Sequence, residues 1–208
     1  DDILLNAANG TAANGATTLG LGTTGDDTSI RTQGGATTLG GVNSFSDVIV
    51  DAAWLANLSG IVAAGRNVAI NAQDVTLAAL TDPGGNAIPT LSADGDVVVN
   101  SAAGIAGGGV RALGDAALSA GTAIGLAAVE GQNVTLTGTT GIDVEAANIL
   151  GAASLNSSDG DIRIGSLLAA GPIDASADAI RIEGGRDLAF ATLNTDVGDA
   201  YIRANGDL

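Results

Sequence analysis

Gly15-Ala-Thr-Thr-Leu-Gly20 returns unchanged as Gly35-Ala-Thr-Thr-Leu-Gly40, a shift of 20 residues. An identical hexapeptide at that distance is the mark of a repeat architecture, and a search for self-similarity therefore comes before any local reading. Further along, the words change but the pattern stays. Short alternating apolar pieces follow a Gly, Asp or Asn: Asn67-Val68-Ala69-Ile70, Asp96-Val97-Val98-Val99, Asn133-Val134-Thr135-Leu136 and Asp161-Ile162-Arg163-Ile164.

These pieces fall into three columns. One runs Val97, Ala116, Val134, Ala153, Ile173, Leu193; a second Ile105, Ile124, Ile142, Ile162, Ile180, Ile202; a third Val110, Val129, Ile149, Leu167, Leu188. Three short strands per unit of about 19–20 residues, each alternating with period two, predict an all-β parallel solenoid. Strands of three to five residues are not stable alone. Coiling stacks each on its copy one turn later, about 4.8 Å away. Inward Val, Ile and Leu then form ladders, each side chain contributing roughly 1.5–3 kcal/mol when fully buried. Asp94-Gly-Asp96, Asp159-Gly-Asp161 and Asn205-Gly-Asp207 read as corners. About ten coils predict a rod roughly 50 Å long.

Composition agrees. The 208 residues include 40 Ala and 32 Gly, and only four aromatics: Phe45, Trp54, Phe190 and Tyr201. A core of small aliphatics suits a narrow object. Gly recurs too often for long helices. The Gly-free segment Asp47–Leu58 is the one place where a short helix competes, and Thr81–Pro89 reads as a loop on a corner. The expected organisation is one continuous solenoid over 1–208, with 1–59 less regular, 10–46 least secure, and 60–208 most regular.

The same arithmetic excludes chemistry. There is no Cys, Met, His or Lys, so disulfides, Cys/His zinc sites, haem ligation, Ser-His-Asp triads and lysine Schiff bases have no ligands or bases to use. A net charge of −16 opposes phosphate backbones and therefore nucleic acid. The uncharged run Ile3–Gly25 is too polar to insert in a membrane, and no signal peptide is visible. The missing Met leads us to expect a window from a longer repetitive protein.

The phrases GRNVAINAQDVTLAA (65–79), GDVVVNSAAGIAGGG (95–109), GQNVTLTGTTGIDVEAA (131–147) and GDIRIGSLLAAGPIDASAD (160–178) resemble the repeats of filamentous-haemagglutinin-like exoproteins of the two-partner secretion type. The resemblance covers residues 60–208 well and 1–59 loosely. It implies a right-handed parallel β-helix from a secreted bacterial surface protein: an adhesin shaft, biofilm factor or stalk. The partners it implies are neighbouring coils of the same longer chain, surface glycans, or further copies.

Other motifs admit rival readings. Gly20-Leu-Gly22-Thr-Thr-Gly25 matches a dinucleotide fingerprint in letters, but no helix pattern follows and Asp26 and Asp27 would repel phosphate. No copy of the calcium nonapeptide exists; Gly184–Leu188 is a partial match, and the Asp residues read as corner caps. Asp159 and Asp161 are the carboxylates a polysaccharide-cleaving helix would need, with no aromatic near them in sequence. Thr17-Thr18 and Thr37-Thr38 share a register, as an ice-binding threonine face would require. The most specific surface feature is a column of Asp143, Arg163, Arg181 and Arg203 on one outward face. Stacked like charges repel by about 0.9 kcal/mol in water. A salt-bridged face is one reading of it, and a landing strip for an anionic glycan the other. The resulting expectation is a non-catalytic shaft without cofactor or metal. A stand-alone module binding glycan or ice, or a polysaccharide-acting enzyme, stands as the alternative.

Overall fold

A computed structural model of the chain describes the backbone of residues 3–7, 17–185 and 187–205, and the side chains of 23, 25–185 and 187–205. Gly15 and Ala16 of the first hexapeptide, Arg186 of the partial calcium motif, and Gly206 and Asp207 of the last corner fall outside the described residues.

The fold is a parallel β-solenoid. One sheet stacks ten strands in chain order, from Ile3–Ala7 and Thr28–Thr32 through Val134–Gly138 to Phe190–Thr195. Nine steps of about 4.8 Å give a stack roughly 43 Å long. A second sheet of 13 strands runs alongside, and its later members are longer, such as Ala123–Gly131 and Gly141–Ile149. Among the described residues there is no helix; Asp47–Leu58 forms strands Val48–Ala52 and Leu55–Leu58, with Trp54 exposed at the corner between them. Among the described residues, therefore, no helix is long and apolar enough to cross a membrane.

The three predicted segments per coil are present, but the second and third form one bent strand in the later coils. In Gly141–Ile149, Ile142 and Val144 point inward, Glu145 and Ala146 both face out, and Ala147 and Ile149 point in again. Two consecutive outward residues break the period-two alternation, and that break is the bend. Inside, Ile105, Ile124, Ile142, Ile162 and Ile180 stack in register, all fully buried. Val97, Ala116, Val134, Ala153 and Ile173 do the same on the first sheet.

The predicted columns need correction at their ends. Ile173 pairs with Phe190 and Ala175 with Leu193; a bulge at Ala191 shifts the register there. Ile180 pairs with Ala200, and Ile202 pairs with Ile182. Val129 pairs with Ala147, while Ile149 lies opposite Gly131. Each of these three misplacements is a slip of two residues along a strand, which leaves the inward face inward. Leu188 is buried, but it tucks beneath Gly184 from a non-strand segment and continues no column.

Corners are held by a side-chain ladder. Asp27 Oδ1 accepts from the Asp47 amide at 3.1 Å, Asp47 Oδ1 from Asn67 at 3.0 Å, and Asn67 Oδ1 from Asp96 at 3.0 Å. Asp96 continues to Asp115 at 2.8 Å, Asp115 to Asn133 at 3.2 Å, and Asn133 to Ala152 at 2.9 Å. Each side chain accepts from the backbone N–H at the start of the next coil, where the strand ladder offers nothing. That need explains the Asp or Asn before so many apolar pieces.

One coil departs from the rhythm. From Asn67 to Asp96 is 29 residues, against 18 to 20 between the other ladder members. The excess is a hairpin: Leu80–Thr81 runs antiparallel to Ala87–Ala93. Asp82 closes its tip, accepting from the Asn86 amide N–H and side-chain N–H, both at 2.9 Å. The hairpin lies close against the next coil: a Cβ on Gly108 would meet Ala78 O at 2.2 Å and Thr90 Oγ1 at 2.4 Å, and one on Gly109 would come within 3.3 Å of Pro89 Cα. Gly108-Gly109 is thus the imprint of the hairpin on its neighbour, while Gly107 (φ +121°) is closed against its strand partner Leu77, whose O a Cβ would meet at 1.8 Å.

Candidate functional site

Parallel pairing carries each outward position up the stack. On the first half of the second sheet's strands, the outward column reads Thr38, Asn57, Thr76, Ala106, Gly125, Asp143, Arg163, Arg181 and Tyr201. Asp143, Arg163 and Arg181 are therefore neighbours, as the sequence predicts. Arg203 is not their continuation: it lies opposite Glu183, and Tyr201 takes the place beside Arg181. The step from Ile180 is 20 residues, to Ala200, rather than 22 to Ile202, and this moves Arg203 two positions along the same outward face.

Arg163 and Arg181 are each countered by a carboxylate. Arg163 Nη2 lies 3.5 Å from Asp161 Oδ2, and Arg181 Nη2 lies 2.6 Å from Glu183 Oε1. The Arg181 guanidinium also sits 4.7 Å from the centre of the Tyr201 ring, a cation–π arrangement. Arg163 and Arg181 are thus salt-bridged and largely exposed. Exposed pairs of this kind contribute about 0–1 kcal/mol each. Tyr201 is not legible in the sequence because the coil length that brings it here depends on the bulged strand Phe190–Thr195, whose register shift leaves no mark in the alternation.

Next to this charged end the same face is hollow. An open groove of about 610 Å³ crosses four coils. Ala106 and Gly125 form its floor, Thr122 and Thr140 line one side, and Asp143 and Arg163 stand at one end. Asp161, one of the two carboxylates singled out for sugar chemistry, is at that end as well. Asp159 sits at the preceding corner, where its backbone N–H donates to Thr139 O at 2.7 Å.

A second hollow, of about 130 Å³, lies under the hairpin between Leu80, Ile88, Pro89 and Val110. The ion pair Arg111 Nε–Glu130 Oε2, 3.5 Å long, is at its rim.

The threonine face is incomplete. Thr17 and Thr18 pair with Thr37 and Thr38 as expected, but Thr37 is fully buried and Asn57 follows Thr38 in the outward column. The dinucleotide fingerprint lies largely within strand Thr17–Thr24, followed by another strand. Among the described residues, no group of three or more Asp or Glu side chains is placed to hold a metal ion.

The fold makes the chain a β-solenoid repeat protein. No family model, no curated protein and no solved structure matches it.

Proposed function

We propose that the chain is a non-catalytic shaft segment of a larger secreted bacterial surface protein, of the filamentous-haemagglutinin-like kind its repeats resemble. The observation that carries this reading is the unbroken first sheet, whose ten strands pair only in parallel with the coil before and after. Such a stack adds stability coil by coil, so its natural use is reach. Its strands lie across the rod axis, and both its backbone hydrogen-bond ladders and its aliphatic columns run along it. A charge of −16 keeps such rods apart and away from anionic surfaces. In this reading the coils hold a distal binding or toxic element away from the cell.

An antibody raised against this chain tests it on the source cells. The expected result is a labelled polypeptide several-fold heavier than 19.9 kDa, accessible on unpermeabilised cells or in the medium. A species near 19.9 kDa confined within the cell would overturn the proposal.

A further inference from the structure

The coil from Asn67 to Asp96 puts its extra length into the hairpin. Neighbouring coils close in 18 to 20 residues, so the stack itself does not call for the excess. In repeat proteins an insertion of this kind often marks the binding face. Here its arms do not close the packing beneath them. Leu80, Ile88 and Pro89 roof the hollow of about 130 Å³, and Gly109, Ala127 and Ala128 floor it. The bend is apolar only under the hairpin: one coil further on, Ala146 lies opposite Ala128 and has Glu145 beside it. A hollow lined by aliphatic groups gives water few of the polar partners it needs, and a dry cavity of ~150 Å³ already accepts a guest the size of benzene.

The mouth carries charge of both signs. Arg111 and Glu130 are opposite each other on paired strands and line the hollow. Their ion pair engages Nε and Oε2 at 3.5 Å. The guanidinium has further N–H donors beyond Nε, and the carboxylate has a second oxygen. We infer that the hollow binds a free aliphatic α-amino acid of the leucine class. Its branched side chain lies between the hairpin and the floor, its carboxylate on Arg111 and its ammonium on Glu130. An aliphatic acid would bring its charge against Glu130, and an aliphatic amine would bring its charge against Arg111; a zwitterion meets an opposite charge at both. The inference does not rest on the shaft reading, since a shaft without this ligand is still a shaft.

The test titrates the 208-residue chain with L-leucine by calorimetry and saturation-transfer NMR. Three comparison ligands each lack one part: glycine the side chain, isocaproate the ammonium and isoamylamine the carboxylate. The expected result is that leucine binds, that glycine does not, and that loss of either charge weakens binding about tenfold. Arg111→Gln should weaken leucine about as much and leave isoamylamine no weaker, a selectivity that general destabilisation would not produce. Ala128→Leu fills the hollow from the floor and should abolish binding, with a thermal midpoint equal to or above that of the parent. Ala87→Leu fills it from the hairpin and gives a second reading should Ala128→Leu fold poorly. Absence of leucine binding, equal binding of glycine, binding of isocaproate or isoamylamine as tight as leucine, or undiminished binding by both filled variants would overturn the inference.

Discussion

The coil spanning 28–44 and the coil spanning 134–149 occupy the same lattice with different chemistry. Following the register upward, Thr28 stands where Val134 stands, Thr37 where Ile142 stands, and Ser44 where Ile149 stands. The later coil buries only aliphatic groups. The earlier one buries four hydroxyls, at Thr28, Thr32, Thr37 and Ser44. It does so by pairing them: Thr32 Oγ1 lies 2.6 Å from Thr37 Oγ1, and the Ser44 hydroxyl donates to Asp26 O and to Asp47 O. The solenoid thus requires that each inward position be satisfied, by dispersion or by a hydrogen bond, rather than that it be apolar.

The sharpest way to break this comparison is to empty an aliphatic rung. Ile142→Ala removes a fully buried side chain packed between Ile124 and Ile162. Those neighbours are fixed by their own ladders and collapse little, so the expected loss is about 2–5 kcal/mol. Denaturant unfolding reads it. A loss well under 1 kcal/mol would mean that the column does not carry the stack.

The hydroxyl coil should answer in a different pattern. Thr37→Val keeps shape but leaves Thr32 Oγ1 without its partner, an expected cost of about 1–3 kcal/mol. Thr32→Val with Thr37→Val removes both ends of the bond and should recover most of that loss. If the double variant were as unstable as the sum of the singles, the paired-hydroxyl account of this coil would fail.

How far the sequence carried this picture follows from period two. Alternation fixes which face a residue takes, and every inward Ile of the predicted second column through Ile180 is where it was expected. Alternation does not fix register, because a slip of two residues changes no face. Arg203, Leu193, Ile202 and Ile149 were all misplaced in that way, on the correct face but against the wrong neighbour. Thr81–Pro89 reads as a loop and is the tip and arms of a hairpin, since Pro and Gly signal a turn but not the strand pairing around it. The hollow beneath it was not legible at all. Gly109 looks like any other glycine in a chain holding 32 of them, and only the hairpin above separates it from those on open coils.

The smallest expected effect lies at the corners and again divides the two ends of the ladder. At the early end the acceptor is Asp27, whose carboxyl is held below its ordinary value of 3.8, first by the backbone N–H of Asp47, then by the Ser46 side chain and the Arg66 charge, against a smaller opposing desolvation. At the later end the acceptor for Ala152 is Asn133, which does not titrate. A carboxylate with a depressed folded-state pKa contributes stability above its unfolded value, and that contribution is lost as pH falls through the folded value. Acidification below about pH 3.8 should therefore reduce hydrogen-exchange protection of the Asp47 amide, while the Ala152 amide keeps its protection until the whole stack opens. Asp27→Asn should abolish the difference, because an amide oxygen accepts the same bond at every pH. Equal loss at Asp47 and Ala152 in the parent chain would show that acid acts on the stack as a whole and that the corner ladder has no local thermodynamic role.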